Sequence, residues 1–298
     1  MSERVLILGG AGMLGHRLLL GLRGGCELWA TVRRPLREYE RYGIFDRATT
    51  IDGIDATDIQ SVIDTLAVVR PTVVINCVGI IKQRPTAQDR LLSLTVNAVL
   101  PQRLQRLCQA AGARLIHFST DCVFRGDKGM YTEDDPSDAI DLYGRSKFLG
   151  ETDGEGALTL RTSIIGRELD TRSGLVEWFL SQRGGQVHGF TRAIYSGFTT
   201  HALARILRTI IADHRNLSGT VNVASEPITK HDLLQLIRRA YHVDIDIVPE
   251  ATTCVDRSLD GSRFQRATGF VPPPWPAMIE EMAADPTPYD EWRTDVHR

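Results

Sequence analysis

Three observations predict an α/β fold, a doubly wound parallel sheet with a smaller α/β lobe. Strand-like and helix-like stretches alternate from Arg4 to Arg161, the pattern of an open parallel sheet covered on both faces. The first stretch, Arg4-Val5-Leu6-Ile7-Leu8, is an apolar run of strand length that stops at Gly9-Gly10-Ala11-Gly12-Met13-Leu14-Gly15 and passes into a helically spaced run ending near Leu20. Beyond Thr162 the alternation loosens, which marks the pieces of a second lobe.

A strand, a tight turn and a helix at the N terminus are the parts of a Rossmann dinucleotide site. Gly9 permits the sharp turn, Gly12 lets backbone approach a phosphate, and Gly15 lets the helix close on the strand, while the helix N terminus offers free N–H groups to an anion. Gly9, Gly12, Met13, Leu14 and Gly15 are therefore expected around a pyrophosphate. Their spacing, G-x-x-G-x-x-G, is one residue wider than the commoner fingerprint. A second strand, Glu27 to Val32, ends on Arg33 and Arg34, where an NAD site usually offers a carboxylate about 20 residues past the first glycine. A guanidinium suits a 2′-phosphate, so NADPH is expected over NADH; the competing reading is a pair of solvated surface arginines.

Ala48 to Ile51 reads as a short third strand, followed by Asp52 to Asp58 and a helix from Ile59 to Arg70 with Asp58 as its cap. Thr72 to Ile75 is a near-continuous apolar strand of the kind buried on both faces, ending at Asn76-Cys77-Val78-Gly79. A helix from about Leu91 to Ala111 carries Asn97, with Pro101 as a kink or a boundary. Then come a strand from Ala113 to Ser119, a loop from Asp121 to Asp138, a helix bearing Tyr143, and a strand from Ala157 to Arg161. In the looser region, Gly174 to Gln182 is helical and Val187 to Gly197 is expected to return to the sheet. Helices from His201 to Asp213 and His231 to Tyr241 flank a strand at Thr220 to Val223, and the tail from Pro272-Pro273-Pro274 reads as an extended wrap. The expected division gives residues 1–162 and about 187–223 to a dinucleotide-binding domain. Residues from about 163–186 and 224–298 then form a substrate-binding lobe, with the substrate in the cleft between.

Tyr143-Gly144-Arg145-Ser146-Lys147 sets a phenol and an ammonium one helical turn apart on one face. A nearby ammonium lowers the cost of a phenolate, so Tyr143 is expected to exchange a proton nearer neutrality than its ordinary pKa of about 10 allows. The bland alternative is an ordinary surface pair.

With 298 residues the chain can bury a large core, and its charged and apolar fractions are those of a globular protein. A formal charge of −2 without a basic run argues against a nucleic-acid surface. No apolar stretch reaches the ~18 residues of a membrane span, and Met1-Ser2-Glu3-Arg4 leads directly into the first strand, so a cytoplasmic location is expected. Cys26, Cys77, Cys108, Cys122 and Cys254 are odd in number with no C-x-x-C, and the histidines form no H-x-x-x-H pair, so neither a disulfide framework nor a metal site is expected.

These residues resemble the extended short-chain dehydrogenase/reductase family, and within it the dTDP-4-dehydrorhamnose reductase branch. The resemblance is carried by Gly9 to Gly15, Asp55, Asn76 to Gly79, Asn97, Phe118-Ser119-Thr120-Asp121-Cys122-Val123-Phe124, Tyr131 to Pro136, Tyr143 to Lys147, Gly150-Glu151 and Leu160-Arg161-Thr162-Ser163. It implies that Thr120 bonds the reacting oxygen, Tyr143 transfers its proton and Lys147 holds the nicotinamide ribose. Asp55 and Ala56 are expected at the adenine and Val78 and Gly79 along the cofactor cleft, with Cys77 and Asn97 counted among the cofactor residues.

The implied activity is NADPH-dependent reduction of a nucleotide-activated 4-keto-6-deoxysugar, with Asp121, Cys122 and Arg257 toward the substrate and a homodimer as a possible assembly. Thr120 also admits a reading as a strand-end hydroxyl. Thr120-Asp121-Cys122 lacks the glutamate of dehydratases in this family, which disfavours dehydration. Cys122 does fall where GDP-fucose synthases place an epimerising cysteine, although the histidine that accompanies it there would match Glu168. An epimerase and a non-catalytic NADP-binding regulatory subunit stay open as alternatives. Arg263, Arg266 and Trp275, and the Tyr195 to Thr200 segment, are each readable as part of the substrate pocket or as surface, core or helix cap.

Overall fold

The computed structural model describes residues 3–83 and 85–294. In chain order the strands are β1 (Arg4–Leu8), β2 (Glu27–Thr31), β3 (Thr50–Ile51), β4 (Val73–Asn76), β5 (Arg114–Ser119), β6 (Ala157–Arg161), β7 (Ile164–Ile165), β8 (Gln186–Tyr195), β9 (Phe198–Thr199), β10 (Gly219–Asn222), β11 (Ile228–Thr229) and β12 (Asp246–Asp256). The helices are α1 (Met13–Gly21), α2 (Ile59–Val69), α3 (Arg90–Leu94), α4 (Leu100–Ala111), α5 (Leu142–Leu149), α6 (Leu175–Leu180), α7 (Thr200–Asp213), α8 (Lys230–Ala240), α9 (Ser262–Thr268), α10 (Trp275–Ala283) and α11 (Tyr289–Thr294). None is long and apolar enough to cross a membrane.

Seven strands make one parallel sheet in the order β3-β2-β1-β4-β5-β6-β10. The order reverses between β1 and β4, and at such a switch point the C-terminal strand ends open a crevice. Gly9–Gly15 forms one lip of it and Cys77–Gly79 the other.

Alternation along β1 shows how the sheet is covered. Val5 and Ile7 face a cluster that includes Leu14 and Leu18 of α1 and Leu203 and Leu207 of α7. Leu6 and Leu8 face the opposite cluster, with Val62, Leu66 and Val69 of α2 and Leu100 and Leu104 of α4. The first cluster continues without a break into Val187, Leu233, Ile237, Ile247, Phe264 and Met278. The smaller lobe therefore shares its core with the sheet.

Four expectations change. β8 does not rejoin the central sheet; it pairs with β12 in parallel and with β11 antiparallel in a separate three-stranded sheet, so it belongs with the smaller lobe. Its burial alternates with exposure at Gln186, Val187, His188 and Gly189, which suits a sheet covered on one face and not a strand buried on both. The tail after Pro274 is not extended, because α10 starts there with Pro276 in its first turn, where a missing N–H breaks no bond. Thr199, not Thr200, caps α7, accepting from the Ala202 N–H at 3.3 Å.

The fourth change is the long helix near Asn97, which is broken by a π turn at Thr95–Val99 between α3 and α4. Pro101 lacks the N–H that a helical residue there donates to the Asn97 carbonyl. That carbonyl instead faces Gly150, where an added Cβ would lie 1.9 Å from its oxygen. Gly150→Ala is accordingly expected to destabilise the fold by about 3 kcal/mol in denaturant titrations. Gly25→Ala, whose added carbon meets nothing nearer than the Leu22 carbonyl at 3.6 Å, should stay within about 0.5 kcal/mol. Equal midpoints for the two variants would contradict this contact.

Candidate active site

The glycine turn is held by Thr31 at the end of β2 and by one bond within its own backbone. Gly10 N–H donates to the Thr31 carbonyl at 2.8 Å, Gly9 N–H to Thr31 Oγ1 at 3.1 Å, and Gly12 N–H to the Gly9 carbonyl at 3.0 Å. Gly9 has φ +81°, and a Cβ on Gly15 would lie 2.2 Å from the Gly9 oxygen, so neither position accepts a side chain. No side chain caps α1 and no acidic residue lies in its first turn. The amides there are thus free to face an anion, and the cradle fits a dinucleotide diphosphate.

Support for this turn also comes from the distant Tyr289, which no spacing pattern connects to it. His16 Nδ1 lies 2.8 Å from the Gly12 carbonyl, which can only accept, so Nδ1 carries the ring proton. His16 Nε2 therefore accepts from the Tyr289 hydroxyl at 2.8 Å. Burial pushes His16 down to about 4, which keeps this neutral tautomer at neutral pH.

Arg33 and Arg34 stand at the end of β2 as expected, but carboxylates from distant segments meet them. Arg33, 76% exposed, pairs with Asp55 at 2.8 Å. Arg34 pairs with Asp170 and with Glu38 and lies over the Tyr39 ring. Asp55 also accepts from the Thr57 N–H and hydroxyl, and these bonds, followed by Arg33, hold its carboxyl below the usual range.

Across the crevice, Asn76 Oδ1 accepts from Val78 N–H at 3.1 Å, and the Cys77 thiol is driven well up by burial. Asn97, expected at the cofactor, has its side chain committed elsewhere. Its Oδ1 accepts from Ile80 N–H at 2.8 Å, and its Nδ2 donates to the Ile80 carbonyl at 3.1 Å and to Ser146 Oγ at 3.2 Å. It thus ties the loop after β4 to α5.

Thr120 ends β5, where its Oγ1 accepts from Cys122 N–H at 3.2 Å and donates to Asp121 Oδ1 at 3.1 Å. Asp141 caps α5, accepting from Gly144 N–H at 2.8 Å, and a Cβ on Gly144 would lie 2.1 Å from the Cys122 carbonyl oxygen. That close approach seats Tyr143 beside the Thr120–Cys122 turn. Burial raises the Tyr143 phenol well above its ordinary range; Cys122, Asp121 and Asp141 add to the shift, and a hydrogen bond with Thr120 opposes it.

Lys147 does not outweigh the burial of the phenol. Its buried Nζ donates to the Phe118 carbonyl at 2.5 Å, and burial lowers it to about 8. Burial thus shifts the Tyr143 phenol in the direction opposite to the one expected.

Arg257 reaches the same turn from the smaller lobe, donating to the Phe124 carbonyl at 2.8 Å and to Cys122 Sγ at 3.9 Å. Burial pushes the Cys122 thiol up to about 12. Glu168 accepts from Thr171 Oγ1 and from Gly174 N–H, each at 2.8 Å. Arg263 is turned to Glu133 and Asp134, and Trp275 donates to the Glu226 carbonyl at 2.7 Å.

A family model described as RmlD substrate binding domain matches residues 3–287. A dTDP-4-dehydrorhamnose reductase of Streptomyces griseus is 34% identical over 149 residues, which are 50% of this chain and 43% of that protein. A dTDP-4-keto-6-deoxy-D-glucose reductase of Streptomyces niveus is 31% identical over 152 residues, 51% of this chain and 47% of that protein. The chain thus spans somewhat under half the length of these relatives. Among solved structures, a dTDP-4-dehydrorhamnose reductase from Bacillus anthracis in complex with NADP superposes with a TM-score of 0.76 at 23% identity, covering 95% of this chain and 99% of that one. The fold is shared with that reductase, and by the family match this chain belongs to the RmlD substrate binding domain family.

Proposed function

We propose that this chain is an NADPH-dependent reductase of a nucleotide-activated 4-keto-6-deoxysugar. The observation that supports it most is a half-buried Tyr143, seated by the close approach of Gly144 to the Thr120–Cys122 turn, at the same sheet edge as an uncapped glycine turn. Gly9, Gly12, Gly15 and the amides of Met13 and Leu14 hold the diphosphate, and Arg33 and Arg34 serve the 2′-phosphate. When bound, the cofactor supplies the hydride.

The chain's own residues manage charge on the oxygen. As the carbonyl oxygen at carbon 4 becomes negative, Tyr143 gives it a proton and Thr120 turns its hydroxyl from Asp121 to donate a hydrogen bond. A phenol held above its ordinary range is a poor base but keeps its proton until a stronger base, the nascent alkoxide, takes it. The Lys147 ammonium stabilises the phenolate left behind. A thiol at about 12 is a weak candidate for the carbon-acid chemistry of epimerisation, which favours plain reduction.

Tyr143→Phe is expected to lower kcat for the keto-sugar at least 100-fold while leaving the dissociation constant for NADPH within about threefold. Wild-type-like turnover in this variant would falsify the assignment. An epimerase is distinguished in the same assay, because it forms product without consuming NADPH in step. The pH profile tests Lys147: charged below about 8, it should give a kcat/KM that is level below that pH and falls above it. A profile that stays level to pH 10 would remove the ammonium from the mechanism.

A further inference from the structure

Tyr195, the last residue of β8, carries a hydroxyl that the mechanism above does not use. Its oxygen is buried, and among the described residues no group hydrogen-bonds to it. Its ring packs against Trp275, with centroids 5.4 Å apart, so the phenol is braced from the smaller lobe. The hydroxyl lies over Gly197: a Cβ built there would be 2.3 Å from the Tyr195 oxygen and 2.2 Å from the Ser163 carbonyl oxygen. Ser163 follows the C-terminal end of β6, and the Tyr195 phenol is held above its ordinary range by burial and then by Asp121 and Cys122, just beyond the end of β5. The unpartnered hydroxyl therefore sits over the same edge as Thr120 and Tyr143, on the lobe expected to close over a substrate.

We propose that the Tyr195 hydroxyl is a specificity contact, which hydrogen-bonds a ring hydroxyl of the sugar and so orients its carbonyl toward Thr120 and Tyr143. This rests on the reductase reading given above. A buried hydroxyl without a partner is unfavourable in the free protein, and the substrate supplies what it lacks. Gly197 is part of the same device, since a side chain there would occupy the position of the phenol oxygen. The partner is a hydroxylated sugar ring because the carboxylate of Asp121 nearby is a hydrogen-bond acceptor suited to a further hydroxyl and unsuited to a phosphate, while the Ser163 carbonyl is already taken by the Phe198 N–H.

The test is Tyr195→Phe, with dTDP-4-keto-6-deoxy-D-glucose as the probe and three readouts. The expected result is a KM for the sugar raised about tenfold or more, a kcat changed less than threefold, and a melting temperature equal to or above that of the wild type. A tyrosine that merely packs would leave KM unchanged, and a hydroxyl needed by the fold would lower the melting temperature; either outcome overturns the proposal. Gly197→Ala should raise the same KM by displacing the phenol, and an unaltered KM there also counts against it. If the wild type reduces neither this sugar nor its UDP- and GDP-linked counterparts, the reductase reading fails and this assignment falls with it. An active wild type with an unaffected Tyr195→Phe overturns the assignment alone.

Discussion

One buried amide side chain joins the two walls of the cleft. Asn97 holds both the N–H and the carbonyl of Ile80, at the end of the loop that leaves β4, and donates to Ser146 on the helix that carries Tyr143 and Lys147. Its position depends on the π turn at Thr95–Val99, and its backbone carbonyl is the one that Gly150 approaches. Three of its hydrogen-bonding positions are thereby used in a buried site, where a half-satisfied amide would be costly. This side chain thus ties the loop after β4 directly to α5.

Within that frame, burial acts in opposite senses on two neighbours. It raises the Tyr143 phenol and lowers the Lys147 ammonium, because in each case it penalises the charged form. The result is a tyrosine that keeps its proton and a lysine able to give one up near pH 8. Both suit a site where negative charge appears only during the reaction. The Phe118 carbonyl, which takes the lysine's hydrogen bond, holds the ammonium within reach of the site.

Local signals in the sequence were strong where chemistry and covalent geometry coincide. The apolar run Val5 to Leu8 ending on Gly9 defined β1, the turn and α1, and the four-residue offset set Tyr143 and Lys147 on one helix, whereas Thr120 was singled out only by the family resemblance. Hidden from the sequence were the partners that folding brings from far away. Asp170 lies 136 residues beyond Arg34, and Tyr289 lies 273 residues beyond His16, so no spacing rule connects them. β8 was misplaced because an alternating strand satisfies an open sheet of either lobe, and only its pairing with β12 decides between them. Asn97 was read as a cofactor residue since position alone does not say that its amide is already occupied. The sign of the Tyr143 shift also needed three dimensions, for it depends on how deeply the phenol is buried.

That sign can be measured directly by titrating the protein with carbon-13 at the tyrosine ring ζ position and assigning the Tyr143 resonance through Tyr143→Phe. A Tyr143 signal that stays in its protonated position through about pH 10, while exposed tyrosines ionise, is the expected result. A signal that titrates near pH 7 would contradict the buried proton donor on which the mechanism rests.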